Sequence, residues 1–347
     1  MKPNGSSTLP AWTRAAMVGV MGGIVLATAT AASGGAVEAA QGRSFITSDG
    51  ARLHYLEAGP AGAQTVLFVP GWTMPGWIFE RQIEALSDRF HVLALDPRGQ
   101  GESEVTRFGY THERRGRDIG ELIEQAANGP VVLVGWSLGV LDSLAWVAQA
   151  GEDRIAGLVL IDNSIGEEPA PRRAAPGTQA AEPPPLSAEE RRARRAAFVA
   201  GMFAHDPGVD YRARLTDQAL RMTPEDERRL LAYDVPREYW RAAVHSTSRP
   251  VLYVVRPRWR EQGTNLVRTH PNARMVVFEH AGHALFVDEA ERFNALLLAF
   301  LDETKARHSE QDLQDTSSET SSTSVTGETA ATSNARRNVL DHPGPWA

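Results

Sequence analysis

The chain contains no cysteine in its 347 residues. Disulfides, thiolate metal sites and a cysteine nucleophile are thereby excluded, and so is a lipid carried on a cysteine beside the N-terminal run. Any chemistry must rest on oxygen and nitrogen side chains. A basic stripe interleaved with aromatics is also missing, and the net charge is only −7, so nucleic acid is not an expected partner. Long, strongly apolar runs are scarce. The N-terminal uncharged run, Ala15 to Ala32, is dominated by Ala, Gly and Thr and follows Lys2 and Arg14. Small residues such as Ala29, Ala31 and Ala39 stand at its end and just beyond it, which is the layout of a secretory signal peptide. Residues 1–40 are therefore expected to be removed on export to the periplasm or medium, with cleavage between about Ala29 and Ala40 and no stable membrane span left afterwards. The alternative is an uncleaved N-terminal membrane anchor.

What is present is enough for a sizeable core: 42% of the residues are hydrophobic. From Phe45 onward, β-branched runs alternate with amphipathic stretches: Thr65 to Val69, His91 to Asp96, Val131 to Gly135, Gly157 to Asp162, Val251 to Val255 and Arg274 to Glu279. Several are apolar throughout, as strands covered on both faces must be. This predicts a mostly parallel sheet flanked by helices, led by an antiparallel hairpin around Asp49-Gly50. The core is expected over 43–165 and 249–303. Between them, at 166–248, the alternation gives way to a Pro- and Ala-rich connector and then helical segments, read as a cap insertion. Ser187 with Glu190 predicts a capping box, and Thr223-Pro224 a further helix start. Arg191, Arg192, Arg194 and Arg195 on the first cap helix are read as a solvated face. The Ser-, Thr- and Glu-rich residues 304–347 are expected to be a disordered tail.

The strongest local signal is Gly135-Trp136-Ser137-Leu138-Gly139, placed after a strand and before a helical stretch. A sharp strand-to-helix turn crowds the backbone on both sides of the serine, so glycine is needed there, and the hydroxyl is pushed out over the sheet edge. Ser137 is the expected nucleophile, and the Leu138 amide at the helix N-terminus an oxyanion donor. Phe68-Val69-Pro70-Gly71-Trp72 ends an earlier strand, which makes Trp72 N–H the second expected donor. His283, in His280-Ala281-Gly282-His283 after the last strand, is the expected general base, with His280 as the substitute.

In these motifs the chain resembles the α/β-hydrolase superfamily over nearly all of Phe45 to Leu301. Asp96-Pro97-Arg98-Gly99-Gln100-Gly101-Glu102-Ser103 is similar to the superfamily's D-x-R-G-x-G-x-S segment, read as a structural turn near the site. The Gly71-Trp72 loop and the elbow are also similar to those of the pimeloyl-carrier-protein methyl esterase and of the non-haem haloperoxidase or perhydrolase branch. Two departures stand out. Pro70 occupies a place where many relatives carry histidine, and Arg256-Pro257-Arg258-Trp259 follows the strand after which most relatives carry the triad aspartate. The resemblance instead implies Asp162, at the end of the strand from Gly157, as the acid, because some relatives such as haloalkane dehalogenases carry theirs there. Glu261 is the reserve acid.

The expected function is hydrolysis of a small-molecule carboxylic ester through an acyl-enzyme, with no metal or organic cofactor required. Ser137 argues against the dehalogenase and epoxide hydrolase branches, whose nucleophile is a carboxylate. Two alternatives remain open: a perhydrolase or haloperoxidase-like enzyme, and a binding or sensor protein on the same fold. Trp72, Trp77, Phe79 and Trp136 are candidates to line an acyl pocket or to fill the core.

Overall fold

The computed structural model describes residues 40–170, 186–232 and 234–323 of the chain. The signal-peptide expectation, most of the cap connector and residues 324–347 lie outside the described residues.

Among the described residues, eight strands form one sheet: β1 (Gln41–Ile46), β2 (Arg52–Ala58), β3 (Thr65–Val69), β4 (His91–Asp96), β5 (Val131–Trp136), β6 (Ile155–Ile161), β7 (Val251–Val255) and β8 (Ala273–Val277). Their order is β1-β2-β4-β3-β5-β6-β7-β8. β1 with β2 and β2 with β4 are antiparallel, and every later pairing is parallel. The predicted strands and leading hairpin are all present, with ends that shift by a residue or two.

The core helices are α1 (Glu80–Leu86), α2 (His112–Ala126) and α3 (Leu138–Ala150). The insertion supplies α4 (Ala188–Ala200), α5 (Val209–Gln218), α6 (Pro224–Arg229) and α7 (Arg237–His245). The chain then returns to the core through α8 (Arg260–Thr269), α9 (Leu285–Asp288) and α10 (Ala290–Thr323).

β5 explains why the central strands read as unbroken apolar runs. Val131 and Leu133 join one buried cluster, whereas Val132, Val134 and Trp136 join the other, so both sheet faces are covered. Each such side chain, fully buried, contributes about 1.5–3 kcal/mol. At β6, a Cβ on Gly157 would lie 3.0 Å from Thr304 and 3.1 Å from Phe300, which shows how tightly α10 lies on the sheet.

Local signals set the cap helices. The Ser187 hydroxyl accepts from the Glu190 amide while the Glu190 carboxylate accepts from the Ser187 amide, completing the capping box of α4. Thr223 caps α6 with Pro224 in the first turn.

Two expectations need correction. α10 does not stop near Glu303 but continues to Thr323, well into the segment expected to be disordered. No glycine or proline interrupts Ala290 to Thr323, and the Arg307 to Glu303 pair at 3.1 Å ties one turn to the next. The arginines of α4 are not one solvated face either. Arg192 and Arg194 are exposed, but Arg191 and Arg195 turn inward onto the buried Glu227. Their four-residue spacing puts them on one side of the helix, a signal the sequence did contain.

Candidate active site

The elbow at Ser137 is built by what its glycines leave out. A Cβ on Gly135 would lie 2.5 Å from the Gly139 carbonyl oxygen, and one on Gly139 would lie 2.1 Å from that of Val69. Ser137 itself is held at φ 55°, ψ −119°, a left-handed backbone that L-residues disfavour. The turn lifts its side chain off the end of β5 and starts α3 at Leu138. The Ser137 amide donates to the Ile161 carbonyl at 2.9 Å, and the Asn163 side chain donates to the Ser137 carbonyl at 2.7 Å. The elbow is thereby tied to the end of β6.

His283 reaches Ser137 from the loop after β8. Its Nε2 lies 2.9 Å from Ser137 Oγ, and its Nδ1 lies 2.7 Å from Asp162 Oδ2. The indole N–H of Trp136 donates to the His283 carbonyl at 2.9 Å, and the two rings pack with centroids 5.1 Å apart. The cap holds the same loop: the Ala284 amide donates to Met202 O at 2.9 Å. Asp288 accepts from the amides of Gly282 at 2.6 Å and of the cap residues Ala204 at 2.9 Å and His205 at 3.1 Å.

Asp162 sits one residue past β6, at φ 50°, with a fully buried side chain. Its Oδ1 accepts from the Arg256 amide at 3.0 Å, and its Oδ2 accepts from Arg256 Nε at 2.6 Å as well as facing His283. Parallel pairing explains the meeting, since Ile161 is in register with Val254, so Asp162, one residue on, and Arg256, two residues past Val254, emerge at the same sheet edge. Tyr253 beneath donates to Asn163 O at 2.6 Å. Burial, with Asp162 adding repulsion, pushes its phenol well above the usual tyrosine range.

The reserve candidates are not brought here. Glu261 is exposed in the first turn of α8, and His280 is exposed ahead of His283. Of the four aromatics, Phe79 is core, stacked on Phe286 with centroids 4.5 Å apart. Trp77 lines a separate cavity of about 620 Å³, with the Arg214 guanidinium 3.7 Å over its ring. Only Trp136 and Trp72 border the Ser137 region.

Among the described residues, the backbone amides of Trp72 and Leu138 donate to no backbone acceptor. Gly71 lies against the serine: a Cβ there would be 2.8 Å from Ser137 Cβ and 3.3 Å from Oγ. Trp72 is roofed by the cap. Its indole N–H donates to Glu227 O at 2.8 Å, and the buried Arg195 guanidinium lies 4.4 Å over its ring while donating to Thr73 Oγ1 at 3.0 Å. Desolvation depresses the Arg195 pKa, although the Glu227 carboxylate opposes that shift.

This sheet order, an elbow serine on β5 and a histidine loop after β8 define an α/β hydrolase. The chain belongs to the alpha/beta hydrolase family, whose sequence profile matches residues 66–296. A 2-(acetamidomethylene)succinate hydrolase of Mesorhizobium japonicum is 38% identical over 28% of this chain and 34% of its own. A non-heme chloroperoxidase of Streptomyces lividans is 31% identical over 34% of this chain and 43% of its own. The chain thus aligns with less than half the length of either relative. Among solved structures, an esterase from Exiguobacterium antarcticum superposes with a TM-score of 0.61 at 21% identity, covering 76% of this chain and all of the other. At that identity the likeness speaks for the fold alone.

Proposed function

We propose that the protein is an exported serine hydrolase that cleaves a carboxylic ester through an acyl-enzyme. The observation that carries this reading is the relay of contacts from Ser137 Oγ to His283 Nε2 at 2.9 Å and from His283 Nδ1 to Asp162 Oδ2 at 2.7 Å. Ser137 attacks the ester carbonyl while His283 Nε2 takes its proton. Asp162 accepts from Nδ1–H, which fixes the tautomer and stabilises the imidazolium. The amides of Trp72 and Leu138 receive the oxyanion. Collapse releases the alcohol, protonated by His283, and water then enters by the same general-base route to free the acid.

A fluorophosphonate probe should label the purified protein and leave Ser137→Ala unlabelled, with ester turnover in that variant lower by at least about 10³-fold. A panel of chromogenic esters of graded acyl length, with lactone, thioester and amide arms, would define the substrate. An unlabelled wild type would favour a binding protein on the same fold. For export, the protein expressed with its native N-terminus should be recovered outside the cytoplasm, shortened by roughly 29 to 40 residues. N-terminal sequencing that begins at Met1 in cytosolic material would refute it.

The chloroperoxidase relative favours a second reading, in which peroxide intercepts the acyl-enzyme and gives a peracid. Comparing peracid formation with hydrolysis of the same ester separates the two.

A further inference from the structure

The segment Asp96 to Ser103 does more than turn the chain. Its Gln100 side chain is fully buried and holds the Gly71–Met74 loop through three hydrogen bonds. Oε1 accepts from the Thr73 amide at 3.0 Å, while Nε2 donates to Gly71 O at 3.0 Å and to Met74 O at 2.8 Å. The match is chemically selective. A primary amide offers one acceptor oxygen and two N–H donors, and the loop presents one N–H and two carbonyls. A carboxylate would set a charged oxygen against two carbonyls, and an isosteric apolar chain would leave three buried backbone groups unpaired.

The grip bears on Trp72 because the Gly71 carbonyl and the Trp72 N–H belong to one planar trans peptide. In such a unit the C=O and N–H point in opposite directions, so a bond that pulls Gly71 O toward Gln100 turns the Trp72 N–H away from it. Gly71 itself abuts Ser137. We propose that Gln100 is a positioning residue that aims the Trp72 N–H at the oxyanion formed on Ser137. The proposal rests on the reading of Trp72 as an oxyanion donor and names the residue that sets it.

The platform under Gln100 is rigid. Its own amide donates to Pro97 O at 2.8 Å. Asp96 accepts from the amides of Gly76 at 2.6 Å and Glu102 at 2.7 Å, and Arg98 is buried in a two-point pair with Asp118 at 2.7 and 2.8 Å. Gly101 at φ +50° is obligatory, since a Cβ there would sit 2.0 Å from the Asp96 carboxyl carbon. The loop side is closed too: Met74 N donates to Gly71 O at 3.1 Å and Thr73 Oγ1 to Trp72 O at 2.7 Å.

The test compares wild type with Gln100→Met, which keeps the volume, and Gln100→Glu, which keeps an acceptor for Thr73, in the full chain. With the chromogenic ester that wild type cleaves fastest, kcat should fall by about 10²-fold while KM stays within about threefold, as when one oxyanion donor is lost. Affinity for an alkyl boronic acid, whose tetrahedral serine adduct occupies the oxyanion site, should fall in step with kcat. Melting temperature and circular dichroism monitor the fold. Wild-type kcat and boronate affinity in a folded variant would overturn the proposal. So would collapse of both variants, since Gln100 would then serve stability alone. If wild type neither reacts with fluorophosphonate nor cleaves any ester, the serine-hydrolase reading fails instead.

Discussion

Arg256 and His283 share one oxygen atom: Asp162 Oδ2 lies 2.6 Å from the Arg256 guanidinium Nε and 2.7 Å from His283 Nδ1. The arginine stands one residue past β7 (Val251–Val255), and it holds a carboxylate supplied from the end of the neighbouring strand β6. Its Nη2 is 3.5 Å from His283 Nδ1, so a positive charge also borders the imidazole.

If Asp162 orients His283, Asp162→Asn should lower ester turnover by about 10² to 10⁴-fold with the fold intact by circular dichroism, because the amide misplaces the histidine tautomer. Glu261→Gln should be indistinguishable from wild type. The reverse outcome would return the acid to the region after β7.

Loss of the arginine tests the shared contact. In Arg256→Met the carboxylate keeps the residue-256 amide but loses a charge-assisted bond worth about 1.5–3 kcal/mol. Turnover should drop by about 10-fold or more with KM little changed. Arg256→Lys should not restore it, since an ammonium cannot reproduce the geometry of the guanidinium Nε–H. A variant faster than wild type would mean that the guanidinium mainly competes with the imidazolium.

A different pair contributes to the pH dependence of stability. Asp142 is buried between α3 and α2, 2.7 Å from Arg115. Burial pushes its carboxyl up from 3.8 to about 6 despite Arg115, and Asp118 adds repulsion. A carboxyl whose folded pKa is raised contributes stability that is present below the unfolded pKa and lost as pH rises through the folded one. This contribution should therefore fade between about pH 4 and pH 6, amounting to roughly 2–3 kcal/mol. Urea unfolding of wild type and Asp142→Asn from pH 4 to pH 7 checks it: the wild-type advantage should shrink as pH rises. Parallel curves would remove Asp142 from the account.

How far the site could be read along the chain depends on how local each requirement is. A strand-to-helix elbow needs small residues on either side of the serine, so Gly135 to Gly139 announces itself within five positions. Strands covered on both faces appear as apolar runs, and caps such as Ser187 with Glu190 appear as short spacings, for the same reason: their causes lie within a few residues. The extension of α10 was obscured because composition argues for disorder, whereas a helix already nucleated on the sheet adds residues without a new nucleation cost and meets no glycine or proline before Thr323.

Other features were decided only in three dimensions. Arg256 lies 94 residues from Asp162, and its side chain meets the carboxylate only because β6 and β7 pair in parallel with Ile161 opposite Val254. Gln100 lies 26 to 29 residues from the loop it holds, and no spacing along the chain marks it. A hydrogen bond is directional over about 3 Å, so which donor meets which acceptor is set by sheet register and loop packing rather than by residue type. The sequence by itself therefore determined the strand pattern, the elbow serine and the order of the candidate residues. The tertiary structure decided which groups hold them, because those bonds exist only once distant segments have been brought to the same edge of the sheet.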